Sequence, residues 1–560
     1  MIRRTRIPWR KWRPKLFELL PYPSAALVPD LIAGVTVGFV ALPLAMAFAI
    51  SAGLPPQAGI YTAIVGGFLV SLLGGSKIQI GGPTGAFVVI IAGILAEYEL
   101  SGLWMVTMMA GVILLFLGFT GLGTAVRYIP RPIVIGFTNG IALLIASTQL
   151  KDFLGLSIAE VPAEFLSRLS VIAFHLNTLN ASAVVLAFAS LAIILITPRL
   201  FPRIPGSILA LTGATFAVYL LGLPVETIGS KFGGIPSGLP PIEIPAFRPD
   251  LILLLLPSAL TVAILAAVES LLSAVVADSM IGDRHNSNAE LIAQGAANLV
   301  VPMFGGIPVT GAIARTATNF RSGARTPLAG IVHSFTLLAV ILVLAPLAKF
   351  VPLATLAAVL LVVAYNMGEW KEIPSILRLE MAEKSVWFIT FVLTVLADLT
   401  VAVAVGMALA ALLYIHRVAG TTTVSLVTPA YVEEGRAHSL QDHEIPSYVT
   451  VLRIHGPFLF GTAEQLTAQA EHLQNFARIV ILRLRNMTAI DSTGLHALES
   501  FSEQLKASGR TLILCGARRQ PGEFLHQSKF IQHIGAENIQ PHIQGALARA
   551  ASIRHTEPLQ

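Results

Sequence analysis

Long stretches of this chain carry no charge. Leu31 to Ile50, Leu103 to Val126, Pro132 to Leu150, Ala181 to Pro198, Ile204 to Leu223, Leu251 to Val268 and Val351 to Met367 contain no Asp, Glu, Lys or Arg. Roughly 20 apolar residues in a helix cross the hydrocarbon of a bilayer, and a helix on a soluble core would show a polar stripe that these runs lack. Reading the runs against Gly and Pro breakers predicts segments near 28–51, 57–73, 83–97, 103–126, 130–150, 181–198 and 204–223. A second set follows near 251–277, 289–304, 309–320, 326–348, 352–367, 385–397 and 399–416. Seven segments in each half force the second half to enter the membrane from the opposite side, which is the inverted repeat of many secondary transporters. The expected fold is a polytopic α-helical membrane protein of 14 segments in a 7+7 inverted repeat, residues 28–223 and 251–417.

After Arg417 the pattern changes: polar residues return, and nine of the 13 histidines lie from His438 onward. Beyond a linker, 418–440, strands are predicted at Tyr448–Ile454, Ile479–Leu484 and Thr511–Cys515, with helices at Ser492–Lys506 and Gly522–His533. Alternating elements of this length predict a small α/β sheet domain over 441–555.

Composition agrees with the pattern. The chain is 55% hydrophobic and 12% charged, with a mean hydropathy of +0.76, whereas soluble domains are about a quarter charged. Its single cysteine, Cys515, can form no internal disulfide. The basic stretch Met1–Lys15 reads as part of a cytoplasmic N-terminal segment, 1–27, and not as a signal-peptide n-region, because Leu31–Ile50 is too long for an h-region and further spans follow. The net charge of +6 is dispersed over loops, which argues against nucleic acid. With the N-terminus inside, the inner loops hold Arg127, Arg131, Arg199, Arg203, Arg321, Arg325, Lys371, Arg378 and Lys384. The long outer loops 151–180 and 224–250 balance Lys151, Arg168, Lys231 and Arg248 against Asp152, Glu160, Glu164, Glu226, Glu243 and Asp250. Positive loops stay inside, so both termini and the C-terminal domain are expected in the cytoplasm of a bacterial-type inner membrane.

Two interruptions match between the halves. Gly81-Gly82-Pro83-Thr84-Gly85-Ala86 begins about 53 residues past Val28, and Gly305-Gly306-Ile307-Pro308-Val309-Thr310-Gly311-Ala312 about 54 past Leu251. Each is expected as an extended stretch (Ser76–Gly82; Val301–Ile307) followed by a helix too short to span. The first N–H groups of such half-helices have no intrahelical partner and carry partial positive charge, so two tips meeting at the midplane make an anion site. Thr84 and Thr310 could cap the helices or touch the ligand; the plainer alternative is that the glycines only let helices pack closely. Arg315 lies in an apolar run about one turn past Gly311, where an isolated cation needs an anionic substrate or a structural ion pair. Glu269, followed by Ser270, Ser273 and Asp278, could bind a proton or sodium ion, or be a neutral packing residue. Asp398 reads as structural. His333 is a lone intramembrane histidine, more often a satisfied core residue than a ligand, and no metal set, P-loop or nucleophile elbow appears. No cofactor beyond a coupling Na+ or H+ is expected, and no enzymatic activity.

At these residues the sequence resembles the sulfate permease (SulP) family, through Gly53-Leu54-Pro55-Pro56 with Gly59-Ile60-Tyr61, Gly82-Pro83-Thr84-Gly85, Glu290-Leu291-Ile292-Ala293-Gln294-Gly295, and Gly311-Ala312-Ile313-Ala314-Arg315-Thr316. The resemblance implies a uracil-permease-like fold with core and gate domains, and a homodimer. It implies substrate at Thr84, Gly85, Ala86 and Phe87 on one half-helix and at Ala312, Ala314, Arg315 and Thr316 on the other, with cation coupling at Glu269, assisted by Ser273. Leu44 stands where many animal relatives have glutamine. The tail is similar to a STAS domain: Asp491-Ser492-Thr493-Gly494-Leu495 matches its strand-to-helix turn, with Thr493 or Ser492 as possible phosphate acceptors and Asp491 or Ser492 as the alternative of a simple helix cap.

The expected function is secondary transport of a small anion of the sulfate, bicarbonate or dicarboxylate class, by an elevator-like motion and coupled to a proton or sodium ion. Alternatives are an uncoupled anion channel or exchanger, a nucleobase permease on the shared fold, or an anion sensor signalling through its tail to a cytoplasmic protein.

Overall fold

The computed structural model describes residues 12–556 apart from 20, 124–129, 159–160, 163, 202–204, 239–241, 246–247, 398, 427–444, 463, 471–472 and 529. Arg127, Glu160, Arg203 and Asp398, the first 11 residues and most of the expected linker lie outside the described residues. Two units emerge, Met1–Ala408 and Leu409–Gln560.

In the first unit the apolar runs fold as helices: α1 (Leu27–Ser51), α2 (Pro56–Leu73), α3 (Gly85–Thr120), α4 (Arg131–Leu154), α5 (Ala181–Leu200) and α6 (Gly206–Leu221). The second half gives α7 (Ile252–Ile281), α8 (Ser287–Val300), α9 (Ile313–Arg321), α10 (Leu328–Ala348), α11 (Leu353–Met367), α12 (Met381–Leu396) and α13 (Leu399–Thr421). Among the described residues eight helices are long and apolar enough to cross a membrane. The third and fourth predicted segments run on as α3, broken at Glu99, whose φ of 56° and ψ of −168° interrupt the helix. In the second repeat the matching break is a full turn, Ser322–Pro327, so α9 and α10 stand apart. The outer loop 151–180 contains an unpredicted helix, Phe165–Phe174.

The helices form two groups. In one, α1 packs with α10, α8 with α2 and α3, and α7 with α3 and α9. In the other, α4 packs with α11 and α12, and α5 with α6 and α11. Asp30, fully buried in the first turn of α1, accepts from Tyr22 Oη at 2.6 Å and from the N–H groups of Arg325 and Thr326 at 2.7 and 3.1 Å, which ties α1 to the turn before α10. Burial and the bond to Asp30 push the Tyr22 phenol up to about 12.

Between α2 and α3, and between α8 and α9, the chain is not helical. Here β1 (Gly81–Gly82) pairs antiparallel with β2 (Thr310–Gly311), Gly81 opposite Gly311 and Gly82 opposite Thr310. The second extended arm starts later than expected: Val301–Phe304 is a 3₁₀ turn, because α8 tightens before releasing the chain at Gly305. Extended backbone inside a bilayer must find partners in the protein, and polar side chains of the flanking helices supply them. Asn298 receives the Val309 N–H at 3.0 Å and donates to its carbonyl at 2.8 Å. Thr62 receives the Ile307 N–H at 2.7 Å, Glu290 the Gly75 N–H at 2.9 Å and Thr316 the Ile80 N–H at 3.1 Å, while Asn319 donates to the Ile78 carbonyl at 2.8 Å.

The second unit contains a five-stranded sheet in the order β3 (Thr423–Leu426), β4 (Val449–Phe458), β5 (Ile479–Ile490), β6 (Thr511–Cys515), β7 (Ile539–Gln540); β3 is antiparallel to β4 and the other pairs are parallel. Its helices are α14 (Glu464–Ala470), α15 (Ser492–Ala507), α16 (Arg519–Gln527), α17 (Phe530–Ile534) and α18 (Ile543–Thr556). The stretch read as linker opens with the end of α13 and edge strand β3. The single helix expected over Gly522–His533 is two, interrupted at Ser528, whose ψ of 154° is extended. Cys515 is buried in β6, and burial pushes its thiol up to about 12.

Candidate functional site

The crossing of β1 and β2 aims two helix tips at one cavity of about 390 Å³. Thr84, Gly85 and Ala86 line it from the first tip, Ala312, Ala314 and Arg315 from the second, and Glu269 of α7 from between. Neither tip has a side-chain cap: Thr84 and Ala312 occupy the N-cap positions without bonding the helix N–H groups. Those donors are therefore available to a ligand, and each tip retains its partial positive charge.

Side chains complete the electrostatics. Thr84 Oγ1 donates to Glu269 Oε2 at 2.8 Å. Arg315 is only 2% exposed, yet lies on the cavity wall; Nη2 donates to the Pro83 carbonyl on the opposite tip, and Nη1 has no partner among the described residues. Gly82 makes room for this reach, since a Cβ there would stand 2.3 Å from Nη1, and its φ of 150° suits only glycine. At Gly311 a Cβ would meet Gln79 Nε2 at 1.6 Å, so the crossing itself excludes a side chain.

Much of the remaining wall is apolar, with Leu44, Phe48, Phe137, Ile141 and Met367 contributing. Thus the first helix offers carbon at Leu44. A largely apolar pocket with one guanidinium and two open helix tips suits a compact anion, and the carboxylate beside them can hold a counter-cation.

Four residues expected at the site stand away from the cavity lining. Phe87 is fully buried in the apolar core behind the first tip. Thr316 and Ser273 pair hydroxyl to hydroxyl at 3.1 Å, and Thr316 also supports β1 through Ile80, so both belong to the scaffold and neither lines the cavity. Thr310 neither caps nor faces the cavity; it is pinned in β2 and donates to the Ala266 carbonyl at 2.9 Å. Conversely, Thr138, Asn366 and Glu369 line the cavity from the second helix group and were not anticipated. Glu369 holds a left-handed φ of 40°, which no sequence pattern signals. Among the described residues no cluster of three His, Cys, Asp or Glu could hold a metal.

In the second unit Asp491 caps α15, accepting from the Gly494 N–H at 2.9 Å and from the Phe460 N–H at 3.0 Å. Ser492 and Thr493 are exposed in the first turn.

Family comparison agrees with this architecture. A model of the Sulfate permease family matches residues 27–390 and one of the STAS domain matches residues 441–546. The chain belongs to the sulfate permease family. Within that family it is 42% identical to YvdB of Bacillus subtilis, provisionally assigned as a sulfate transporter, over 92% of this chain and 96% of the relative. It is 30% identical to the bicarbonate transporter BicA of Picosynechococcus, over 90% and 91% of the two chains. Among solved structures, the murine solute carrier 26 family member A9 anion transporter superposes with a TM-score of 0.86 at 20% identity, covering 99% of this chain and 96% of that one, a likeness of fold. Sulfate permease family membership makes this chain a membrane anion transporter carrying a STAS domain.

Proposed function

We propose that this chain is a secondary transporter of a compact oxyanion of the sulfate, bicarbonate or dicarboxylate class, working in a bacterial-type plasma membrane with both termini in the cytoplasm. The observation that carries this reading is the convergence of two uncapped helix tips and Arg315 on one cavity. The names of YvdB and BicA point to sulfate and bicarbonate as the anions to try first. Glu269 sits within hydrogen-bond reach of one tip and electrostatic reach of Arg315, so its charge state sets the net charge of the site. This supports coupling to a proton or sodium ion there. The helix group that carries both tips would move against the group of α4–α6 and α11–α13, exposing the cavity alternately, and the molecule would work as a homodimer. On the STAS domain the exposed Ser492 and Thr493 hydroxyls are proposed as phosphate acceptors, a phosphate at a helix N-terminus being electrostatically favoured, and as the place where a cytoplasmic protein partner would read that state.

The test is uptake of labelled sulfate and labelled bicarbonate into proteoliposomes under imposed proton and sodium gradients, with a competition panel that includes dicarboxylates. Gradient-dependent accumulation of one anion is expected. Ohmic chloride current without cation dependence would make the protein an uncoupled channel, and binding without any flux would make it a sensor.

A further inference from the structure

A second cavity, of about 320 Å³, lies among α1, α6 and α10, and shares no lining residue with the anion pocket. Its floor is buried, at Met46, Ile60, Ile341 and Val351, whereas Phe216, Tyr219, Leu344 and Leu347 at the rim are exposed. In a membrane-spanning unit an apolar rim of this kind opens sideways into lipid. The wall gives a water-soluble ligand little to bind. Thr212 Oγ1 donates to the Ile208 carbonyl at 2.8 Å and Thr215 Oγ1 to the Leu211 carbonyl at 2.7 Å, so both donors are used within α6 itself. The other lining side chains are hydrocarbon, apart from the Met46 thioether and the Tyr219 hydroxyl.

The length of this crevice and the charge at its end fix what fits. Along α10 the lining runs from Val340 to Phe350, about 15 Å of helix rise, which is half of a hydrocarbon core of roughly 30 Å and so the depth of one leaflet. At that end stands Lys349, exposed, with Nζ 4.9 Å from the centroid of the Phe350 ring. Lys231 has Asp152 at 3.7 Å, but Lys349 forms no ion pair among the described residues. A lysine just past a helix end extends toward the headgroup layer, where its charge attracts anionic lipid. We propose that the crevice among α1, α6 and α10 binds one acyl chain of an anionic phospholipid, with the lipid phosphate at Lys349. The bound chain touches both helix groups, α1 and α10 on one side and α6 on the other. It therefore favours the arrangement seen here over one in which the groups have slid. That consequence for transport rests on the motion proposed above; the binding itself does not.

The probe is phosphatidylglycerol with a photoactivatable diazirine in one acyl chain, at low mole fraction in phosphatidylcholine proteoliposomes of the full chain, and the labelled peptides are located by mass spectrometry. Label is expected on 208–219 and 340–351, displaced by unlabelled phosphatidylglycerol far better than by the same amount of added phosphatidylcholine. T212W places an indole in the crevice from its exposed rim and should remove most of that label, while the lipid-facing Val185 and Leu195 of α5 are labelled as before. If T212W does not fold, L344W fills the crevice from the opposite wall with the same expectation. K349Q should weaken displacement by phosphatidylglycerol roughly fivefold, the size of one lysine near a lipid surface. Label spread evenly over the crevice and α5, or unchanged when the crevice is filled, overturns the site and leaves an ordinary lipid-facing surface. Equal displacement by the two lipids, or K349Q behaving as the parent does, overturns the anionic phospholipid as the occupant. Uptake separates the two levels: Vmax of the parent should depend on the phosphatidylglycerol fraction and that of T212W should not. If the crevice is labelled as expected and the parent Vmax is indifferent to that fraction, the proposed sliding at this face falls and the lipid site stands.

Discussion

The two helix tips stand at matching places in the repeat, the first opening as a 3₁₀ turn and the second as an α-helix, and carry different chemistry. The first, at Thr84-Gly85-Ala86, has no charge of its own and gives its hydroxyl to Glu269. The second, at Ala312 to Arg315, contributes a cation that reaches across to the Pro83 carbonyl. The inverted repeat therefore fixes where two positive helix ends meet, while the side chains divide the work: one tip is tied to the acidic group and the other supplies the fixed positive charge.

Three substitutions test that division, from the largest expected effect to the smallest. E269Q should abolish gradient-driven accumulation and leave passive anion exchange running, because Glu269 is the carboxylate bonded to the first tip and in the field of Arg315 on the second; accumulation that survives in full would assign coupling elsewhere. R315Q removes the one charge that distinguishes the second tip, and KM should rise roughly 10- to 150-fold, the range of a lost charge-assisted hydrogen bond. Equal KM values in R315Q and the parent would mean that the backbone tips alone bind the anion. T84A removes a hydroxyl that bonds Glu269 and carries no charge of its own, and a KM change of only about two- to tenfold is expected. Its further signature should be a shifted cation dependence of uptake, since Glu269 loses its donor. A T84A effect as large as that of R315Q would erase the asymmetry.

The helical membrane unit was legible because lipid imposes a simple rule, charge-free runs of fixed length, and the half-helices because a transporter repeats its breakers. Arg315 and Glu269 stood out as charges in apolar surroundings, and both line the cavity. Helical phase was not legible. At 3.6 residues per turn, Phe87 and Thr316 lie on the back of their tips, and that is decided by where each helix starts, which glycine-rich sequence leaves open. The supports of the extended arms were also hidden: Asn298, Thr62 and Asn319 are ordinary polar residues until the backbone groups they satisfy are placed beside them. The π-helical turn Thr62–Gly66 in α2, next to that support, has no sequence mark either. In the STAS unit Thr511–Cys515 was read to the residue, whereas the edge strand β3 was missed because four residues directly after a helix give no period to count.

The pairing of Gly81 with Gly311 and of Gly82 with Thr310 sets a limit on how such a chain can vary in length. One residue added to either arm would advance its strand by about 3.3 Å and reverse the faces of all that follow, so the two tips would no longer be level. Insertions that a surface loop would absorb are thus forbidden between Gly74 and Gly82 and between Gly305 and Gly311, and a compensating insertion in the other repeat could not restore the register, because the arms run in opposite directions.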